Sequence, residues 1–337
     1  MTSALSSPEI QIAAFYHFAS VAPEKVDELA KRLEEMGVER DLRGLIIFAS
    51  EGINGTICGA TQADVLEYLV AVSSLLDFPR LDPKWSEAPS WPFKKFRVRV
   101  REEIVTLGKP EVQPLAPKSP THLSPEEWNR AMEEDDTLVL DTRNWYETRI
   151  GKFTGAIDPK ISEFQNFGTY LEESGIPKDK KVLIYCTGGI RCEKALVEMN
   201  NKGFSNVYQL DGGILNYLAQ FPNQKFEGEC FVFDHRVAVD QNLKPTTFYK
   251  MCPHCGQPAD QTIQCLRCDQ DALVCVECIE KPQYKTCSKN CSYHYEIAPG
   301  KKGRSQHQGY RFVTIGKARS ARIKPAESAG GQDPQQA

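Results

Sequence analysis

No run of this chain approaches the roughly eighteen consecutive apolar residues that a membrane-crossing helix needs. The opening MTSALSSPEI has neither a basic stretch nor an apolar one, so no secretion signal is expected, and the expected compartment is the cytoplasm. An excess of one charge sign is also missing. Charged residues make up 26% of the chain but the net charge is only −4, which excludes a polybasic nucleic-acid binder and requires any RNA contact to come from a local patch. Histidine is scarce, six in 337 residues, and no two-His-one-carboxylate set stands out. The G-x-G-x-x-G fingerprint of flavin and nicotinamide sites is absent as well. Cysteine, in contrast, is abundant. Twelve in a chain expected to be cytoplasmic point to metal binding or thiol chemistry and away from a disulfide framework.

The length suits two or three domains. Residues 1–108 read as an α+β domain: IQIAAFYHF, PEKVDELAKRLEEMG, GLIIFAS, GTICG, TQADVLEYLVAVSSLL and KFRVRVR follow one another in the order β-α-β-β-α-β. That is the split βαβ of ferredoxin-like or acylphosphatase-like domains. SEGING, between the middle strands, is a turn that either closes a hairpin or also touches substrate. In KKFRVRVR, Phe96, Val98 and Val100 alternate with Lys95, Arg97, Arg99 and Arg101, so one face of a strand packs and the other is basic. Those four cations are the candidate RNA-phosphate surface, against a purely solubilising role.

Residues 109–123 are proline-rich and lack periodicity, as a linker does. Ser124 and Glu127 then form a capping box with Pro125 at the first helical position. Residues 124–222 alternate strands (TLVLD, KVLIY, NVYQL) with helical stretches, the pattern of a parallel α/β sheet, whose ligands sit beyond the carboxyl ends of the strands. Asp141 and Cys186 lie at such ends. Cys186 is followed by Thr187, Gly188, Gly189, Ile190 and Arg191. A sharp turn there aims backbone N–H groups inward at the start of a helix, an anion nest that would hold a thiolate, a persulfide or an oxyanion. Arg191 adds a permanent positive charge. Asp141 and Arg143 are expected to tie down the neighbouring loop. Cys192 either faces the helix interior or resolves an oxidised Cys186 as a disulfide.

A phosphate-cupping loop sets its arginine farther from the cysteine than the four residues Thr187 to Ile190 allow. The shorter loop resembles that of rhodaneses. So do DTRNWYETRIGKFTGAI and VYQLDGGI, and this resemblance spans residues 124–221. Taken with GLIIFASEGINGT, EEIVTLG, YCTGGIRCEKA and GECFVFDHRVAV, the chain from about residue 11 to 240 resembles the tRNA uridine hydroxylase family of rhodanese-domain proteins. The resemblance implies oxygen-dependent 5-hydroxylation of the wobble uridine in the tRNA anticodon loop. It also implies molecular oxygen as co-substrate and the loop cysteine as the essential residue. The rival is a sulfurtransferase carrying a persulfide on Cys186. A third possibility is a non-catalytic zinc adaptor that binds RNA.

Residues 223–296 form a Cys-rich module with little periodicity, the kind of core that needs a staple. Its pairs are Cys252 and Cys255, Cys265 and Cys268, Cys275 and Cys278, and Cys287 and Cys291. These eight thiolates suit two closed, structural zinc sites. Either consecutive pairs share an ion or alternate pairs cross-brace. His254 and His294 are expected to be spectators, and Cys58 and Cys230 to be buried. Residues 297–337 form a basic tail expected to be disordered, with eight Lys or Arg and no acid between 301 and 324.

Overall fold

The computed structural model describes residues 9–114 and 120–303. Part of the proline-rich linker and nearly all of the basic tail lie outside the described residues. The first domain runs β1 (Ile10–Phe18), α1 (Val26–Glu39), β2 (Arg43–Ala49), β3 (Gly52–Gly59), α2 (Gln62–Leu76), β4 (Lys84–Ala88) and β5 (Phe96–Val100). Its sheet has the order β4-β1-β3-β2-β5. The expected split βαβ is present, but its closing strand is KWSEA and not KFRVRVR. β4 pairs antiparallel with β1, whereas the alternating FRVRV strand joins the opposite edge, parallel to β2. KWSEA escapes a pattern search because four of its five residues are only half-buried. α1 and α2 cover one sheet face, where Phe15, Ile46, Phe48, Ile53 and Ile57 meet Leu33, Val65, Tyr68 and Val72.

Alternation along β1 and β4 puts Tyr16, Lys84 and Ser86 on the other face, which meets the second domain. That domain is built from β6 (His122–Leu123), α3 (Pro125–Ala131), β7 (Thr137–Asp141), α4 (Trp145–Thr148), β8 (Gly151–Phe153), α5 (Phe167–Glu173), β9 (Lys181–Tyr185), α6 (Ile190–Asn201), β10 (Val207–Leu210) and α7 (Gly213–Gln220). A parallel sheet of order β6-β10-β9-β7 forms its centre. The capping box at Ser124 and Glu127 starts α3, with Pro125 at its first turn.

A buried ionic clasp joins the two domains. Lys194 of α6 reaches Glu51 at 2.8 Å and Glu103 at 2.5 Å, and all three side chains are nearly inaccessible. Glu51 lies in the SEGING turn and also accepts the Ile104 N–H at 2.6 Å. The turn therefore works as an interdomain anchor.

The chain then passes through β11 (Phe226–Gly228), β12 (Cys230–Phe231) and β13 (Ala238–Val239) into the Cys-rich module. There β14 (Lys250–Met251), β15 (Pro258–Ala259), β16 (Gln261–Gln264) and β17 (Asp271–Val274) form two small hairpins, followed by α8 (Lys289–Ile297). None of the described helices is long and apolar enough to cross a membrane.

Candidate active site and metal centres

β9 is fully buried from Val182 to Tyr185 and delivers Cys186 to the sheet's carboxyl edge, where the chain turns into α6. Gly189 makes that turn possible. Its φ is +100°, and a Cβ there would lie 2.9 Å from the Tyr16 hydroxyl oxygen. Gly213 plays the matching part across the loop, since a Cβ at that position would press on the Cys186 carbonyl oxygen at 2.5 Å. This close approach lets the first turn of α7 donate to the loop, Ile214 N–H to the Cys186 carbonyl and Leu215 N–H to that of Thr187.

The Cys186 sulfur is wholly enclosed. Gly189 N–H donates to it at 3.1 Å. Burial pushes the thiol up, but the hydrogen bond with Cys192, the Arg191 charge and the backbone N–H groups of Arg191 and Cys192 more than offset it. Cys186 therefore ionises below the ordinary thiol range. Cys192 moves the other way: burial, then the hydrogen bond and charge of Cys186, hold it protonated. Its sulfur also lies 3.7 Å from Thr142 Oγ1.

Arg191 is less free than a loop cation would be. Its guanidinium grips Glu147 with two bonds, at 2.6 and 2.8 Å, and both side chains are buried. Glu147 is the acidic position that follows D-x-R in DTRNWYETR, and the sequence gives no other sign of its role. Asp141 and Arg143 form the expected tie. Arg143 Nε and one terminal nitrogen reach the carboxylate at 3.0 and 2.7 Å, and that nitrogen also donates to the Gly151 carbonyl at 2.6 Å. Neither touches the cysteine loop directly through any hydrogen bond among the described residues.

The first domain supplies side chains that nothing in the local sequence marks. Tyr16 donates to Glu193 at 2.8 Å, one residue beyond Cys192, and Lys84 sits 4.8 Å above the Tyr16 ring. Burial pulls the Lys84 ammonium below its ordinary value, with Asp211, Asp82, Glu193 and Cys186 opposing the shift.

Among the candidate phosphate contacts, Lys95, Arg97, Arg99 and Arg101 are all exposed. Arg97, however, is paired with Glu34 at 2.7 Å, so the face is not uniformly free. Val100 is 37% exposed and closes the apolar face only partly.

The eight thiols gather into two sets, Cys252, Cys255, Cys275 and Cys278, and Cys265, Cys268, Cys287 and Cys291, with the sulfurs of each set within 4.8 Å of one another. Alternate pairs thus combine into a cross-brace. Four sulfur donors at this spacing match the tetrahedral, thiolate-rich coordination of a structural metal ion. His254 lies outside both sets, its Nε2 bonded to the Thr286 carbonyl at 2.8 Å. Cys58 and Cys230 are buried, and burial pushes both up to about 12.

Comparison with known proteins matches residues 10–104 to the UPF0176 acylphosphatase like domain, 124–220 to the rhodanese-like domain and 227–292 to the rhodanase C-terminal family. A Bdellovibrio bacteriovorus protein named tRNA uridine(34) hydroxylase is 50% identical over 299 residues, 88% of this chain and 84% of that one. Proteins of the same name from Rhizobium etli and Prochlorococcus marinus are 41% and 40% identical. The first alignment covers 73% of this chain and 79% of its relative, the second 77% and 88%.

Proposed function

The chain belongs to the tRNA uridine(34) hydroxylase family, and from that premise we propose that it converts the wobble uridine of tRNA to 5-hydroxyuridine, with molecular oxygen as co-substrate and Cys186 as nucleophile. Carbon 5 of uracil is too weakly nucleophilic to meet oxygen unaided. Addition of a thiolate at carbon 6 makes the ring an enolate and carbon 5 the nucleophile. The observation that carries this reading is the state of Cys186, whose sulfur is drawn below the ordinary thiol range at a helix start, with backbone N–H groups aimed at it. The same donors can hold charge that develops on the substrate.

Because the sulfur is enclosed, the base must leave its stack and part the contacts around the loop before it can react. Tyr16, lying against Gly189, is the covering group contributed by the first domain. Phosphates flanking the base find cations on β5, on the sheet face that also bears Tyr16 and about three strand spacings, roughly 14 Å, away. The cross-braced thiols hold two zinc ions, which staple the C-terminal module. Four protein donors per ion complete a tetrahedral set, so these ions serve structure.

The test is to incubate the purified protein with tRNA lacking wobble modification under oxygen-18 gas and analyse the nucleosides. The expected product is 5-hydroxyuridine carrying one heavy oxygen atom. Product formed equally well under argon, or carrying oxygen from water, would refute the oxygen step.

A further inference from the structure

Hydroxylation by molecular oxygen needs more electrons than the uracil C–H bond supplies. One oxygen atom ends in the product and the other in water, so two further electrons and two protons must come from elsewhere. Two thiols that close to a disulfide release that number.

Cys186 has such a partner. Cys192 is fully buried in the same core as Cys186, its N–H bonded at 3.0 Å to the carbonyl of Gly189, whose own N–H donates to the Cys186 sulfur, and its sulfur lies near Thr142 Oγ1; nucleophilic attack by Cys186 gives it no task. Cys58 and Cys230 are different. They bond to the backbone carbonyls of Arg43 and Phe231, and neither has a thiol partner among the described residues.

We propose that Cys192 is a second catalytic thiol, which reduces a uridine 5-hydroperoxide formed on Cys186 and then closes a disulfide with Cys186. The inference rests on the hydroxylase reading. Cys186 thiolate adds to carbon 6, and the resulting carbon 5 carbanion attacks oxygen; one proton completes the hydroperoxide. Cys192 sulfur attacks the distal peroxide oxygen, the O–O bond breaks, and the proximal oxygen takes the thiol proton. This leaves a 5-hydroxyl on the ring and a sulfenic acid on Cys192. Loss of the carbon 5 proton expels Cys186 from carbon 6 and releases 5-hydroxyuridine. Cys186 then attacks the sulfenic acid, giving the disulfide and water. In total, uridine, oxygen and two thiols become 5-hydroxyuridine, water and one disulfide. An external dithiol reduces the disulfide for the next turnover.

Electrostatics orders these events. Burial and the Cys186 charge together hold Cys192 protonated in the resting enzyme. When Cys186 becomes a neutral thioether on carbon 6, the charge contribution vanishes and Cys192 becomes easier to ionise. The second thiol is thus released for attack only after the first has engaged the base.

The experiment uses full-length, zinc-loaded protein, reduced and then freed of reductant, with excess tRNA under air. The expected yield is about one 5-hydroxyuridine per chain, followed by arrest, and dithiothreitol restarts turnover. Trypsin cuts after Lys181, Arg191 and Lys194 and so places the two thiols in separate peptides, VLIYCTGGIR and CEK. In the arrested enzyme mass spectrometry should find them joined. Cys192→Ser should lose hydroxylation while still binding tRNA. Many turnovers without reductant, ending with both thiols free, would overturn the inference and leave the hydroxylase reading standing. Absence of product under air even with dithiothreitol would remove both.

Discussion

Arg191 commits its guanidinium to Glu147, through two bonds of 2.6 and 2.8 Å in a closed interior, and acts on Cys186 by its charge across the loop. Removing either partner leaves the other charged and buried. Arg191→Ala or Glu147→Ala should each lower stability by about 3–5 kcal/mol. The double variant should lose less than the sum, because the pair fails as a unit. Chemical denaturation of the four proteins measures this; additive losses would mean that the pair does not couple.

The ionisation of Cys186 gives a second prediction. Labelling by a small alkylating agent should rise with pH through a midpoint below the ordinary thiol range, since the thiolate is the reactive form. Cys192→Ala removes a hydrogen-bond partner of that thiolate, so the midpoint should move up. A midpoint at the ordinary value in the parent protein would contradict the stabilised thiolate. Because the folded-state pKa is depressed, ionisation of Cys186 adds stability at high pH that is lost as pH falls through that midpoint.

The cross-brace makes a prediction that consecutive pairing does not. Cys252→Ser with Cys275→Ser damages one site and should leave about one zinc per chain, whereas Cys252→Ser with Cys265→Ser damages both and should leave about none. Elemental analysis decides, and the reverse pattern would support consecutive pairs.

The cations on β5 and just beyond its end are unequal. Replacing Arg99 and Arg101 by Gln should weaken tRNA binding and flatten its dependence on salt, by roughly 0.7–0.9 in logarithmic slope for each phosphate no longer neutralised. Arg97→Gln alone should do less, because Glu34 already neutralises it. Filter binding across a salt series would show this; an unchanged slope for the double variant would place the docking surface elsewhere.

Features with local signatures could be read from the sequence. The apolar run KVLIY, the Gly-Gly turn and the helical spacing after it place Cys186 at a strand end, and the structure has it there. The capping box at Ser124 and the cysteine pairs are equally local. What escaped depends on contacts between distant residues. Lys194 meets Glu51 and Glu103 across more than ninety positions of sequence, and Tyr16 reaches Glu193 over 177. KWSEA becomes a strand because β1 offers it an open edge, and no pattern of its own announces that. The combination of alternate cysteine pairs is likewise a matter of chain path, since all four pairs look alike in sequence.

The proposed formation of 5-hydroxyuridine by Cys186 is tested by nucleoside mass spectrometry of tRNA from a strain deleted for this protein and complemented in turn with the parent and with Cys186→Ser. Derivatives of 5-hydroxyuridine should disappear on deletion, return with the parent and stay absent with the serine variant, whose side chain has nearly the same size but is not ionised near neutral pH. Full recovery with Cys186→Ser, or loss of thiouridines in place of 5-hydroxyuridine derivatives, would contradict the proposal.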